Sequence, residues 1–185
     1  MGTPPAEESK VARFTRVALP YLEDAYRLAC WLLRDDQDAQ DAVQEAHLLA
    51  YQSLDTLRGE NARGWILAIV RNTCFSTLRK RKMIGPEQPF DEDTHSLDEA
   101  GLTVGQPENN PETLVLRKIT QERIAQGIRS LPIKLREVLV LREIADMSYL
   151  EIAQIADIPV GTVMSRLARA RDLLASHLKE LDGAP

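Results

Sequence analysis

The chain has 185 residues, 44% hydrophobic and 28% charged, a balance that fits one medium domain or two small ones and excludes a wholly disordered chain. Aromatics make up only 5%, Leu, Ala, Arg and Glu dominate, and β-branched residues rarely alternate with polar ones, so helix is favoured and almost no sheet is expected. A formal net charge of -5 and a pI near 5.3 run against a free-standing nucleic-acid binder, which is usually basic overall.

The first fourteen residues read as a polar N-terminal tail, with no basic segment followed by an apolar run. No stretch anywhere approaches the roughly 18 apolar residues of a membrane span, so a cytoplasmic protein that does not insert into membranes is expected. Pro20 then opens a segment with Leu22, Ala25, Leu28, Ala29, Leu32 and Leu33 at the three-to-four spacing of an amphipathic helix, punctuated by Asp35 and Asp36. A second periodic run goes through Ala39, Val43, Ala46, Ala50 and Leu54 and ends near Gly59. A third starts near Ala62 and carries Trp65, Ile66, Ile69, Val70 and Leu78 up to the basic cluster Arg79, Lys80, Arg81 and Lys82. These runs predict a helical domain over residues 15–83.

Residues 84–111 hold four prolines and three glycines without a sustained period and read as a flexible linker. The linker contains Glu87, Asp91, Glu92, Asp93, Asp98, Glu99 and Glu108 and no Lys or Arg, so the negative charge is concentrated there. The basic residues gather instead at Arg79 to Lys82 and along Arg166, Arg169 and Arg171, as patches able to meet phosphates. Asn110 and Pro111 then suit the cap and first position of a helix running to about Ser130. Pro132 begins another, with Leu135, Val138, Leu139 and Leu141, stopping near Asp146. With two further helices these predict a second domain over residues 112–181.

Ser148-Tyr149-Leu150-Glu151 has the spacing of a capping box, in which hydroxyl and carboxylate each satisfy an orphan backbone N–H. A helix starting at Tyr149 carries Ile152, Ala153 and Ala156 and runs out at Asp157-Ile158-Pro159-Val160-Gly161, after which a new helix is expected from Thr162. Two short helices joined by such a turn, about residues 149–168, form a helix-turn-helix, whose second helix enters the DNA major groove. On a wheel of about 100° per residue, Val163, Leu167, Ala170, Leu174 and Leu181 share one arc. Thr162, Ser165, Arg166 and Arg169 share another, some 120° away on the same wheel. Arginine on that second arc can clamp phosphate or bind guanine bidentately, while Thr162 and Ser165 can touch backbone or base edges. Arg171 lies off the arc, as a backbone contact or a solvent charge. A plain solvated helix face is the alternative for all of these charges.

Cys30 and Cys74 sit in separate apolar surroundings and suit reduced core thiols; the three histidines are scattered, so neither a metal nor another cofactor is expected. There is no glycine-rich phosphate loop or nucleophile-base arrangement, which argues against an enzyme.

The run Gly161-Thr162-Val163-Met164-Ser165-Arg166-Leu167-Ala168-Arg169-Ala170-Arg171, preceded by Ser148 to Ala153, by Leu131-Pro132, Arg136-Glu137-Val138 and Leu141-Arg142-Glu143, resembles region 4 of extracytoplasmic-function sigma factors. Independently, Asp38-Ala39-Gln40-Asp41-Ala42-Val43-Gln44-Glu45-Ala46 with Ala50-Tyr51 is similar to the polymerase-binding part of sigma region 2, and Trp65 to Asn72 to its promoter-melting part. The resemblance covers residues 15–83 and 112–181 and implies an all-α protein of two small helical domains: a three- or four-helix bundle and a helix-turn-helix domain. It implies that Asp38, Asp41, Gln44 and Glu45 dock on the clamp helices of the largest subunit of core RNA polymerase, where spacing alone leaves a solvated acidic face open. It implies further contact with the polymerase flap, capture of a flipped minus-ten base by Asn72 with Arg71 beside it, and a backbone grip by Arg79, Lys80, Arg81 and Lys82. The cluster also suits a helix C-terminus on dipole grounds. Trp65, in its apolar run, reads as core in preference to a base-stacking platform. Thr162, Ser165, Arg166 and Arg169 would read the minus-thirty-five element, with Met164 where many relatives carry arginine. An anti-sigma factor that occludes one or both domains is also implied. The acidic linker would thread toward the polymerase channels or serve as a charged tether.

The competing reading is a conventional helix-turn-helix repressor or activator that binds its operator without polymerase. An adaptor or anti-sigma-like protein would share the helical composition without needing a segregated arginine face.

Overall fold

The computed structural model describes residues 9–59, 61–84 and 111–182, so the acidic linker, apart from its end residues, and the expected Asn110 cap lie outside the described residues. Among the described residues there are helices and no strand, and no helix is long and apolar enough to cross a membrane.

The first helix, α1, spans Lys10–Ala18 within and beyond the stretch read as a tail. The Ser9 hydroxyl accepts the Ala12 amide at 3.2 Å as its cap. One turn on, Phe14 stacks edge-on against Tyr51 with ring centroids 5.4 Å apart, which ties the helix to the core. A 3-10 turn at Leu19–Tyr21 takes up Pro20, and α2 spans Leu22–Leu33, ended by Arg34 in the left-handed conformation. Asp35 caps α3, Asp36–Gln52, by accepting the Asp38 amide at 2.8 Å. After a 3-10 turn at Leu54–Thr56, α4 runs over Ala62–Ile84, its start braced by Asn61, whose side-chain oxygen accepts the Gly64 amide at 2.9 Å. The helix runs through the basic cluster, which forms its C-terminal end, because Arg, Lys and Met are good helix formers and the next breakers are Gly85 and Pro86.

In the second half α5 spans Pro111–Ser130, α6 Ile133–Glu143, α7 Tyr149–Ala156 and α8 Val160–Asp182. The last of these begins two residues before the expected Thr162. The Pro159 carbonyl accepts from Thr162 at 2.9 Å and Val163 at 3.1 Å, so Gly161 belongs to the first helical turn and not to the linker turn. Asp157 closes α7 in the left-handed conformation at φ 54.

Helices α2, α3 and α4 pack on one another, and α5, α6 and α7 gather around α8. These two groups do not stand apart. Helix α2 lies against α6 and α4 against α7, and one continuous cluster of buried apolar side chains runs from Ala18 to Ala170 through both. Polar ties cross the seam as well. Arg136, 4% exposed, donates to the Arg129 carbonyl at 2.7 Å within its own group and to the Leu32 carbonyl at 3.2 Å in the other. Leu32 stands in the last turn of α2, where carbonyls lack intrahelical partners, so a guanidinium from the second group satisfies the end of a helix in the first. Arg63 likewise joins Asp24 at 2.7 Å to the Ala145 carbonyl at 2.8 Å.

Candidate functional site

The helix-turn-helix is built as its sequence requires. The Glu151 amide reaches the Ser148 hydroxyl at 3.3 Å, and the Ser148 amide reaches the Glu151 carboxylate at 2.9 Å, closing the capping box. The Ser148 hydroxyl also donates to the Glu151 carboxylate at 2.7 Å, and this bond, followed by the one from the Ser148 amide, holds the Glu151 carboxyl below its usual range. On α8, Val163, Leu167 and Ala170 are buried, Leu174 packs half-buried against the same core, and the side chain of Leu181 lies outside the described residues. Ser165 and Arg169 are exposed, and Thr162 and Arg166 half-exposed, so the polar arc is separated from the packed one. Met164 is 54% exposed and, like Arg171, lies off that arc. Arg171 pairs with Glu143 at 2.7 Å, an exposed ion pair off the arc.

On α4, Asn72 is exposed and Arg71 half-buried. Arg71 is occupied on three sides. Its Nε donates to Glu137 of α6 at 2.5 Å, a second nitrogen donates to the Asn72 side-chain oxygen at 3.0 Å, and the guanidinium lies 4.3 Å from the Phe75 ring centroid. The Arg79, Lys80, Arg81 and Lys82 side chains all reach solvent at the far end of the helix. Trp65 is half-buried against the core, as a packing residue would be, and its remaining surface borders a groove of about 240 Å³ lined on its other side by Gln154 and Ile155 of α7.

On α3, Asp41, Gln44 and Glu45 are exposed on the side opposite buried Ala39, Val43 and Ala46. Asp38 differs from the other acidic groups. It is half-buried and ion-paired with Arg81, so a residue from the expected polymerase face and one from the expected minus-ten face engage each other. Cys30 and Cys74 are free and buried, and desolvation pushes both thiols up, Cys74 to about 12. Among the described residues no group of three His, Cys, Asp or Glu is placed to hold a metal ion.

Glu137 is the residue that pattern reading missed. It is 0% exposed, accepts from Arg71 through one oxygen, and its other oxygen has no hydrogen-bond partner among the described residues. Burial pushes its carboxyl above the usual range, against the pull of the Arg71 bond and the charges of Arg71, Arg166 and Lys134. A signal was present: α6 is buried from Leu135 to Leu141 on every side, and a charged pair inside such a helix requires polar partners.

Two sequence profiles match the chain along most of its described length. That of Sigma-70 region 2 matches residues 18–83, and that of Sigma-70, region 4 matches residues 121–174. The ECF RNA polymerase sigma-E factor of Escherichia coli is 37% identical over 145 residues, covering 78% of this chain and 75% of the relative. The RNA polymerase sigma-H factor of Pseudomonas aeruginosa is 34% identical over 169 residues, covering 91% and 87%. The fold is shared with the sigma factor RpoE in its complex with the anti-sigma factor NepR from Bartonella quintana, at a TM-score of 0.67 and 24% identity over 90% of this chain and 96% of that one. It is shared also with CnrH in complex with the cytosolic domain of CnrY, at a TM-score of 0.60 and 21% identity over 93% and 90%. With both regions matched in order and relatives above 30% identity covered over three quarters or more of their length, the chain belongs to the extracytoplasmic-function sigma factors, which are non-enzymatic, promoter-directing subunits of RNA polymerase.

Proposed function

We propose that the two helix groups of this sigma factor divide the promoter between them. The second reads the minus-thirty-five element through Thr162, Ser165, Arg166 and Arg169. The first captures the minus-ten element with Asn72 and Arg71 and holds its backbone with Arg79, Lys80, Arg81 and Lys82. The observation that carries this reading is the segregation on α8 of an exposed polar arc from a buried apolar one, on the second helix of a capped helix-turn-helix. Exposed Asp41, Gln44 and Glu45 on α3 form the docking face for the clamp helices of core polymerase, with Asp38 joining when it exchanges Arg81 for a polymerase partner. The polymerase flap engages the second group, and the protein acts in the cytoplasm, where polymerase is.

A cognate anti-sigma factor is part of the same proposal, supported by the fold shared with a sigma factor solved in complex with an anti-sigma factor. Opposite charge on α3 and α4, acidic toward the polymerase and basic toward DNA, favours this division over a repressor that binds its operator unaided.

Adding the protein to core polymerase is expected to give run-off transcripts from its own promoter, and no transcripts from the protein alone. Failure to co-purify with core polymerase overturns the reading, and operator binding of full strength without polymerase moves it to the repressor.

A further inference from the structure

Three charged residues of the proposed DNA-binding machinery and its surroundings converge on one buried carboxylate. Arg71 of α4 is hydrogen-bonded to Glu137 at 2.5 Å, and the charges of Arg166 on α8 and Lys134 on α6 bear on the same group. The Arg71 side chain is 18% exposed and that of Glu137 is 0% exposed, so the contact lies inside the seam between the two helix groups and not on its rim. Around it the seam is finished as a protein interior is. A shared apolar cluster crosses it, Arg136 closes on the Leu32 carbonyl and Arg63 on the Ala145 carbonyl. The acidic face of α3, by contrast, is left open to solvent at Asp41, Gln44 and Glu45.

We propose that Glu137 is an internal stand-in for promoter DNA: in the free chain its carboxylate occupies the guanidinium of Arg71 and thereby holds the two helix groups closed, so that Arg71 and the Asn72 oxygen it binds are withheld from the minus-ten base until the groups separate. The inference rests on the assignment of Arg71 to the minus-ten face. A carboxylate and a phosphate offer a guanidinium the same anionic oxygens, so the two compete for one fork of donors. Opening exposes both members of the pair to water, and Arg71, swinging free, also releases the Asn72 side-chain oxygen that it holds at 3.0 Å. One event therefore frees both residues assigned to the minus-ten base. The polymerase-facing side of α3 needs no such release. Docking on polymerase precedes capture of the promoter strand in this scheme.

The pair can be broken from either side. Glu137→Gln leaves the Arg71 charge buried without a counter-charge, and Arg71→Gln leaves the Glu137 carboxylate in that position; both are strongly unfavourable in the closed form and are relieved by hydration on opening. Dyes placed on Gln52→Cys in α3 and Ser176→Cys in α8, both exposed positions, report the separation in the full chain without polymerase. The otherwise wild-type chain is expected to show one short distance, and each variant a population at longer distance. Binding of random-sequence single-stranded DNA is measured in parallel. With the competent state a minor one, opening should tighten apparent binding by roughly tenfold or more for Glu137→Gln. Arg71→Gln, which opens the chain but removes the donor, should not gain.

A wild-type chain already at the long distance, or both variants at the short one, overturns the proposal. So does an equal gain in DNA binding by the two variants. If Glu137→Gln loses helicity by circular dichroism, Arg71→Gln at its half-exposed position carries the distance test alone. Run-off transcription with core polymerase reads the sigma assignment separately: variants that open but support no transcript leave the latch standing and strike the proposed role of Arg71 and Asn72.

Discussion

Arg169 and Arg171 are two residues apart on α8 and differ in what they touch. Arg171 is held by Glu143 at 2.7 Å, whereas Arg169 projects from the polar arc with Ser165. Arg169→Ala in the polymerase-bound protein is expected to weaken binding to minus-thirty-five DNA by about 1–3 kcal/mol. Arg171→Ala, which removes an exposed pair, should change folding stability by about 0–1 kcal/mol. A titration in which Arg169→Ala binds as tightly as the parent removes it from the reading face. The thiols give a second residue-scale expectation. Cys30 and Cys74 are buried in the α2 and α4 packing, and burial raises both. Alkylation by iodoacetamide near pH 8 should be slow in the native chain and rapid for both sites in denaturant, read by mass. The raised thiol favours the folded state fully at pH values below the ordinary thiol range, and that contribution fades as pH climbs toward about 12. Rapid native labelling of Cys74 would place it outside the core.

At the scale of the element, what sequence disclosed and what it hid divide by range. The capping box at Ser148 and Glu151 was legible because its two bonds close within four residues, and the packed arc of α8 because burial there follows the 3.6-residue period. The start of α8 was misread because Pro159-Val160-Gly161 has the composition of a turn. Proline is at home just before a helix, and at Gly161 nothing lies within 4 Å of where a side chain would begin, so the glycine reflects no packing demand. Helix α1 was missed for the opposite reason. Nine residues are too few to hold a helix by propensity, and its stability comes from Phe14 against Tyr51, a contact with a helix more than thirty residues on. Ser148→Ala should cost about 1 kcal/mol in denaturant unfolding, the usual worth of such a cap. The pH sense follows from Glu151, whose carboxyl is depressed by the Ser148 hydroxyl and amide. Its contribution is complete above the ordinary glutamate range and is lost as pH falls through the depressed value. The difference between parent and Ser148→Ala should therefore narrow as pH is lowered toward 3, and a gap that stays constant would mean that the box contributes no charge-assisted bond.

For the molecule as a whole, the sequence pointed to two small helical domains, and their own folds are as expected. Their shared seam was out of reach, because nothing local at Arg136, Glu137 or Arg63 says that the partner of each stands in another part of the chain. The seam has a thermodynamic consequence that separate domains would lack. A chain with one apolar cluster and buried charges crossing between its halves loses both sets of contacts together, since separating the halves exposes Glu137 and Arg136 and the apolar side chains around them. Heating the free protein is thus expected to give a single calorimetric transition whose enthalpy equals the van't Hoff value. Glu137→Gln, by uncoupling the halves, should divide it into two transitions of different midpoint. The smaller helix group need not survive alone to the same temperature, because its stability in the closed form includes surface buried by the other. Two separate transitions in the parent protein would show that the seam contributes too little to couple the halves, and would leave Arg71 free for DNA without any opening step.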